Sequence, residues 1–197
     1  MINYLIIPVG ELLGKEYEEQ KLVDAFKEFS CRQEGDLENF LTCKAITYEK
    51  ANFGKTYLFI DEKMLNMGKF RILAYFTIAQ RVIDISAMSN KKRRTVLGLY
   101  PGRESINAVP TYLIGQLGRA DYCSNSDLSG ELILQECYHV ISMAAKIVGG
   151  NMVILECREH MYEKVYKDLK FKKLYDETDN GLYTLYKKID FTEYWKC

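Results

Sequence analysis

The sequence lacks most of what would announce a metal, redox or membrane protein. Its six cysteines (Cys31, Cys43, Cys123, Cys137, Cys157 and Cys197) include no CxxC pair, and only His139 and His160 accompany them. That composition argues against a zinc site of ordinary ligand spacing and against a disulfide framework. At 197 residues the chain can bury a core without covalent staples, so the cysteines read as free thiols of a reducing compartment. No apolar run approaches the roughly 20 residues of a membrane-spanning helix. Met1 to Pro8 lacks the basic flank and apolar length of a secretory signal. Net charge is missing too. Twenty-seven basic residues balance twenty-seven acidic ones, so the total favours neither nucleic acid nor membrane, although a local patch can hide in a neutral sum. With no internal repeat, linker or low-complexity tract, the expectation is one soluble, cytoplasmic domain over residues 1–197.

What is present is a succession of strand and helix patterns. Tyr4 to Val9 reads as a first strand. Leu22, Val23, Phe26 and Phe29 recur at helical spacing, which predicts a helix from about Lys15 to Phe29. A second helix follows, with Asp36 at or near its N-cap and Leu37, Phe40, Leu41, Ala45 and Tyr48 as its apolar positions. Lys55 to Asp61 and Phe70 to Ile85 are rich in strand formers and joined by a short turn, hence an antiparallel pair. Residues 86–107 look irregular and carry the basic run Lys91, Lys92, Arg93 and Arg94. A loop of that length in a compact domain is usually mobile or functional.

The segment from Val109 to Gly150 organises the rest. An apolar strand (Tyr112, Leu113, Ile114, Leu117) meets the polar turn Ser124 to Asp127. A helical stripe of Leu128, Leu132, Cys137, Val140, Ile141, Ala144 and Val148 follows and stops at Gly149-Gly150. Strand, turn and helix in that order aim unpaired amides and a positive helix end at one point, which suits a phosphate. Met152 to Leu155 is a fully apolar strand. His160 to Leu169 is helical in pattern. Phe171 to Tyr175 and Leu182 to Lys187 form a hairpin across Asp179-Asn180-Gly181, and a tail, 189–197, carries Tyr194 and Trp195.

This order resembles the GNAT family of acyl-coenzyme-A-dependent N-acetyltransferases, including bacterial members related to acetyltransferase toxins. Asp36 to Leu41, Lys55 to Leu58 and Ala74 to Ile78 look like the family's first half. Val109-Pro110 and Leu113 to Gly118 look like its central strand, and Val165 to Phe171 like its Phe-Tyr-x-x-x-Gly-Phe stretch. The resemblance implies a single-domain α/β fold, with a mixed, mostly antiparallel central sheet flanked by helices and a splayed central strand pair. It implies acetyl-CoA as co-substrate, no metal, and an amine acceptor, either a small molecule or aminoacyl-tRNA.

By position, Leu117, Gly118 and Arg119 would hold the pantetheine arm. Asn125, Ser126, Asp127, Leu128, Ser129, Gly130 and Glu131 would form the pyrophosphate loop. There Asn125 stands for the family's Gln/Arg, Leu128 replaces its first glycine and Gly130 keeps its last. A glycine lets backbone approach phosphate, often at φ > 0, where a leucine is strained, and Asp127 adds a negative charge. Tyr166 would be the acid that protonates the leaving thiolate, for which the ordinary phenol pKa near 10 is suitable. Glu156, ending its strand, is the candidate base. The same residues can be read more plainly: Tyr166 as one of fifteen tyrosines, Glu156 as an exposed carboxylate, His139 and His160 as surface groups, Cys157 as a buried thiol.

Lys91 to Arg94 could meet the adenosine 3′-phosphate, an acidic substrate, tRNA or a protein partner, or form a solvated, mobile loop. A homodimer is compatible with the chain. The departures in the loop, with Lys170 where the family has glycine, define the alternative: a catalytically inactive GNAT-fold interaction module with lost or weakened CoA binding.

Overall fold

The computed structural model describes residues 2–14, 16–32, 34–99 and 101–195. Lys15, the expected start of the first helix, and Cys197 lie outside the described residues. Seven strands form one sheet in the order β1-β2-β3-β4-β5-β7-β6. They are β1 (Tyr4–Pro8), β2 (Lys55–Asp61), β3 (Ile72–Asp84), β4 (Ala108–Arg119), β5 (Met152–Cys157), β6 (Lys172–Lys173) and β7 (Tyr183–Lys188). The sheet is mixed and mostly antiparallel with β4 and β5 parallel, which is the GNAT-like architecture expected from the sequence. Two compact units share it: residues 1–79 with 114–141, and residues 80–113 with 142–197.

In the first unit β1 pairs antiparallel with β2, Tyr4 opposite Asp61, and β2 with β3, Lys55 opposite Ile78. Alternation along β2 sends Leu58 and Ile60 to one face and Tyr57 and Phe59 to the other. Leu58, Ile60 and Tyr75 pack with Leu22, Phe26, Phe40 and Leu41 of helices α2 (Glu16–Glu28) and α3 (Gly35–Cys43). Rings fill the opposite face, with Tyr4 5.1 Å from Phe59 and Tyr57 5.0 Å from Phe76 between centroids. Helix α1 (Val9–Leu12) follows β1 and α4 (Ala45–Lys50) follows α3. The helix expected from Asp36 is therefore broken at Lys44, and Asp36 sits in the first turn behind the cap residue Glu34. The turn expected after Asp61 is α5 (Glu62–Asn66), and the Asp61 carboxylate caps it by accepting the Met64 amide at 3.1 Å.

In the second unit β5 pairs with β7, Met152 opposite Lys188 and Glu156 opposite Thr184. β6 adds only two residues. The Asp179 to Leu182 turn has Asn180 and Gly181 at φ 50° and 78°, the paired positive values of a tight hairpin turn. Residues 86–107, expected to be irregular, contain helix α6 (Asn90–Leu97), capped by Ser89 Oγ accepting the Lys92 amide. The sequence hid it because only Val96 and Leu97 are apolar and buried, too few for a visible period. Both join Ile83, Ile85, Val109, Met152, Ile154, Leu174 and Tyr186 in the core of this unit. The tail packs as a 3₁₀ helix, Phe191–Trp195, with Phe191 buried and the Trp195 indole donating to Ser142 O at 3.0 Å.

Candidate functional site

The polar turn of the first unit is built around two clamps. From the end of β4 the Arg119 guanidinium donates to Asn125 Oδ1 at 2.9 Å and to Leu128 O at 2.7 Å. Within the turn the Asp127 carboxylate accepts the Ser124 hydroxyl at 2.6 Å and the Ser124 amide at 3.3 Å. The Ser124 hydroxyl holds the Asp127 carboxyl below the usual carboxylate range, and the Ser124 amide adds to this. The negative charge expected to oppose a phosphate is therefore retained, with the carboxylate held in place by donors inside the turn. Ser126 Oγ lies 2.8 Å from Ser124 Oγ. Arg119 is expected from the sequence at the pantetheine arm, but not as a side-chain clamp of the turn; the signal for that role is an arginine at a strand end immediately before a polar turn.

Leu128 is placed differently from the expectation. Its side chain is 1% exposed, its carbonyl takes Arg119 and its amide bonds Ser124 O at 3.1 Å. It is a hydrophobic anchor of the turn and precedes the helix stripe to which the sequence assigned it. Its φ is not among the positive values, so the strain expected of a leucine in a glycine position is not present.

Ser129 caps helix α7 (Gly130–Val148), its hydroxyl accepting the Leu132 amide at 3.1 Å. The amides of Gly130 and Glu131 make no hydrogen bond among the described residues, as expected of the first helical turn. A Cβ on Gly130 would meet nothing within 4 Å, so backbone there is open to approach. Leu117 is half-buried. Gly118 is a packing glycine: its Cβ would fall 3.0 Å from Leu37 Cδ1 and 3.3 Å from Tyr75 Cε1.

The second unit holds the candidate catalytic residues. Tyr166 ends a π-helical turn, Tyr162–Tyr166, that continues α8 (Glu159–Met161), so the expected helix is real but not a regular α-helix. Its C-terminus closes as a Schellman cap. The Phe171 amide bonds Tyr166 O at 3.0 Å, Lys170 between them has φ 67°, and the Tyr166 and Phe171 rings meet edge-on at 5.5 Å. This explains the Tyr-x-x-x-Gly-Phe pattern physically: the glycine position is left-handed, and here a lysine occupies it under strain.

Lys173 ties down the other end of the turn. Its ammonium bonds both Glu159 carboxylate oxygens, at 2.7 and 3.0 Å, and lies over the Tyr162 and Tyr183 rings. Glu156 is not a solitary carboxylate, since Arg81 Nη1 contacts its Oε1 at 2.5 Å. Nothing in the sequence linked these two positions, 75 residues apart. Burial pushes the Cys157 thiol up to about 11, Glu159 adding to the shift against Lys173, so it stays a thiol. His139 and His160 are both exposed.

The basic run lies on α6 and its members differ. Arg93 is spent on structure, donating to Ile85 O, Ser86 O, Glu104 O and Asn107 Oδ1. Lys92 pairs with Asp176 at 3.0 Å and Arg94 with Glu104 at 3.9 Å. Lys91 is exposed and forms no ion pair among the described residues. The neutral total also conceals an asymmetry. The second unit carries sixteen basic against eleven acidic residues, a balance of +5, and the first unit the opposite.

No protein-family model matches the sequence, and no curated protein does. Solved structures do match. The toxin AtaT complexed with acetyl-methionyl-tRNAfMet superposes with a TM-score of 0.67 at 17% identity, covering 94% of this chain and 95% of that one. A structure described as a bacterial toxin gives 0.71 at 13%, covering 99% and 94%. A tyrosine-to-phenylalanine mutant of AtaT, bound to the C-terminus of the antitoxin AtaR and acetyl-CoA, gives 0.61 at 16%, covering 86% and 87%. At such identities the likeness is one of fold.

Proposed function

We propose that this chain is an N-acetyltransferase of the GNAT type that transfers the acetyl group of acetyl-CoA directly to an amine, and that the amine belongs to an aminoacyl-tRNA. The observation that carries the reading is the fold match along nearly the whole chain to structures holding acetyl-CoA or acetyl-methionyl-tRNA. The α7 N-terminus supports it. Its Gly130 and Glu131 amides and the open backbone at Gly130 fit a pyrophosphate. Ser126 and Ser129 would line the approach, Arg119 and Asn125 would hold the turn in place, and the backbone at Leu117 and Gly118 would flank the pantetheine arm. Acetyl-CoA supplies the activated thioester.

The chain's own residues then have little covalent work to do. Tyr166, fixed at its C-terminal side by the Schellman cap, gives its hydroxyl proton to the departing thiolate. Glu156, paired with Arg81, accepts a hydrogen bond from the acceptor's amine and draws its proton. The positive second unit, with Lys91 uncommitted on α6, favours a polyanionic acceptor. A protein antitoxin is the other expected partner. Leu128 no longer favours an inactive module, because its backbone is unstrained.

The deciding test is thermal melting with and without CoA. At a hundred times its dissociation constant the ligand should add about 2.7 kcal/mol of stability; absence of any shift at millimolar CoA would overturn the enzyme reading. Given binding, Tyr166→Phe should lower turnover by roughly 10²–10⁴-fold with CoA affinity retained. Unchanged turnover would remove Tyr166 from the chemistry.

A further inference from the structure

The second unit contains a cleft of about 750 Å³ that the proposed reaction does not use. Leu97, Val109, Val148, Met152, Phe191 and Trp195 make most of its floor and walls apolar. The Asp190 carboxylate also lines it, exposed and accepting the Thr192 amide and hydroxyl at 3.0 and 2.6 Å. Met152, in the cleft, and Glu156 are four residues apart on β5, so roughly 13 Å of strand separates the cleft from that carboxylate. The volume is within the range of small-molecule sites.

Lys188 is the one cation of the lining among the described residues. Lys188, at the end of β7, is half-buried there and forms no ion pair or hydrogen bond with a carboxylate among the described residues. Its amine rests directly on the backbone of Gly98, where a Cβ would stand 2.8 Å from Nζ. Burial, together with the Lys172 ammonium nearby, pushes the Lys188 amine below the ordinary lysine range. An ammonium in such a place is short of a counter-charge.

We propose that this cleft binds an amphipathic monocarboxylate, its apolar body against Val109, Val148, Met152, Phe191 and Trp195 and its carboxylate on the Lys188 ammonium. Charge complementarity at Lys188 selects this occupant, since the lining offers apolar surface for a chain or ring and a half-buried ammonium without a carboxylate partner for a single anionic head. The Asp190 carboxylate, by contrast, is exposed and held by Thr192. The cleft lies within one unit and is independent of the acetyl-transfer reading.

Trp195 is the only tryptophan of the chain and forms part of the wall, so intrinsic fluorescence reports occupancy. Octanoate titrated into the full chain should change that fluorescence saturably, and octanol should bind about tenfold more weakly or worse. Lys188→Met should weaken octanoate about tenfold while leaving octanol unchanged, and Lys188→Arg should restore it. Val148→Glu, at a position 66% exposed and therefore neutral for folding, should abolish octanoate binding by placing a like charge at the mouth. The proposal is overturned if octanoate gives no saturable signal, or if Lys188→Met binds it as the parent does. It is equally overturned if sedimentation finds a dimer that Val148→Glu dissolves, because the cleft is then a self-association face.

Discussion

Lys170 offers the most direct test of how the Tyr166 turn is made. Its φ of 67° is the left-handed conformation, which costs an L-residue about 1–2 kcal/mol relative to its preferred state. Glycine removes that penalty but loses more backbone entropy on folding, about 0.5–1 kcal/mol. Lys170→Gly should therefore stabilise the protein by about 0.5–1 kcal/mol. For a chain of this size that corresponds to a melting temperature higher by roughly 1–4 °C. Lys170→Ala keeps the penalty and should melt close to the parent. The side chain is exposed, so lost packing adds little. Melting followed by far-ultraviolet circular dichroism, with both variants beside the parent, separates the two effects. If alanine matches glycine, or glycine melts lower than the parent, the left-handed Schellman cap is not what shapes this turn.

Other outcomes follow from the same geometry. Ser129→Ala removes the α7 cap and should cost about 1 kcal/mol in urea denaturation, with weaker CoA binding in calorimetry. Arg93→Met deprives four acceptors of their donor and should destabilise by about 1.5–3 kcal/mol, whereas Lys91→Glu should leave the melting point alone and weaken tRNA binding in a filter assay. Cys157, with its thiol pushed up to about 11, carries about one thiolate in a thousand at pH 8. Iodoacetamide followed by mass spectrometry should thus label exposed Cys43 first and reach Cys157 only as the pH approaches that value or the protein unfolds.

The site was legible in part. Strand, polar turn and helix could be read between Val109 and Gly150 because composition and period change sharply there. The pattern around Tyr166 was visible as well, but its cause was not. A Schellman cap is a statement about φ and a six-residue hydrogen bond, and a lysine in the glycine position conceals it. Helix α6 escaped for the opposite reason, since four consecutive cations drown a two-residue apolar face.

By itself the sequence determined the strand and helix succession, the hairpin at Asn180-Gly181 and the place where an anion would meet a helix N-terminus. Those depend on local propensity and periodicity, which neighbouring residues carry. Tertiary structure alone decided which charges are committed. Arg81 reaches Glu156, Arg119 clamps the turn, Arg93 is consumed by three backbone carbonyls and the Asn107 side chain, and Lys188 is left without a carboxylate partner in a largely apolar cleft. Such outcomes depend on contacts between residues far apart in the chain, and no local pattern encodes them. The same holds for the neutral total, which folds into one unit at −5 and another at +5.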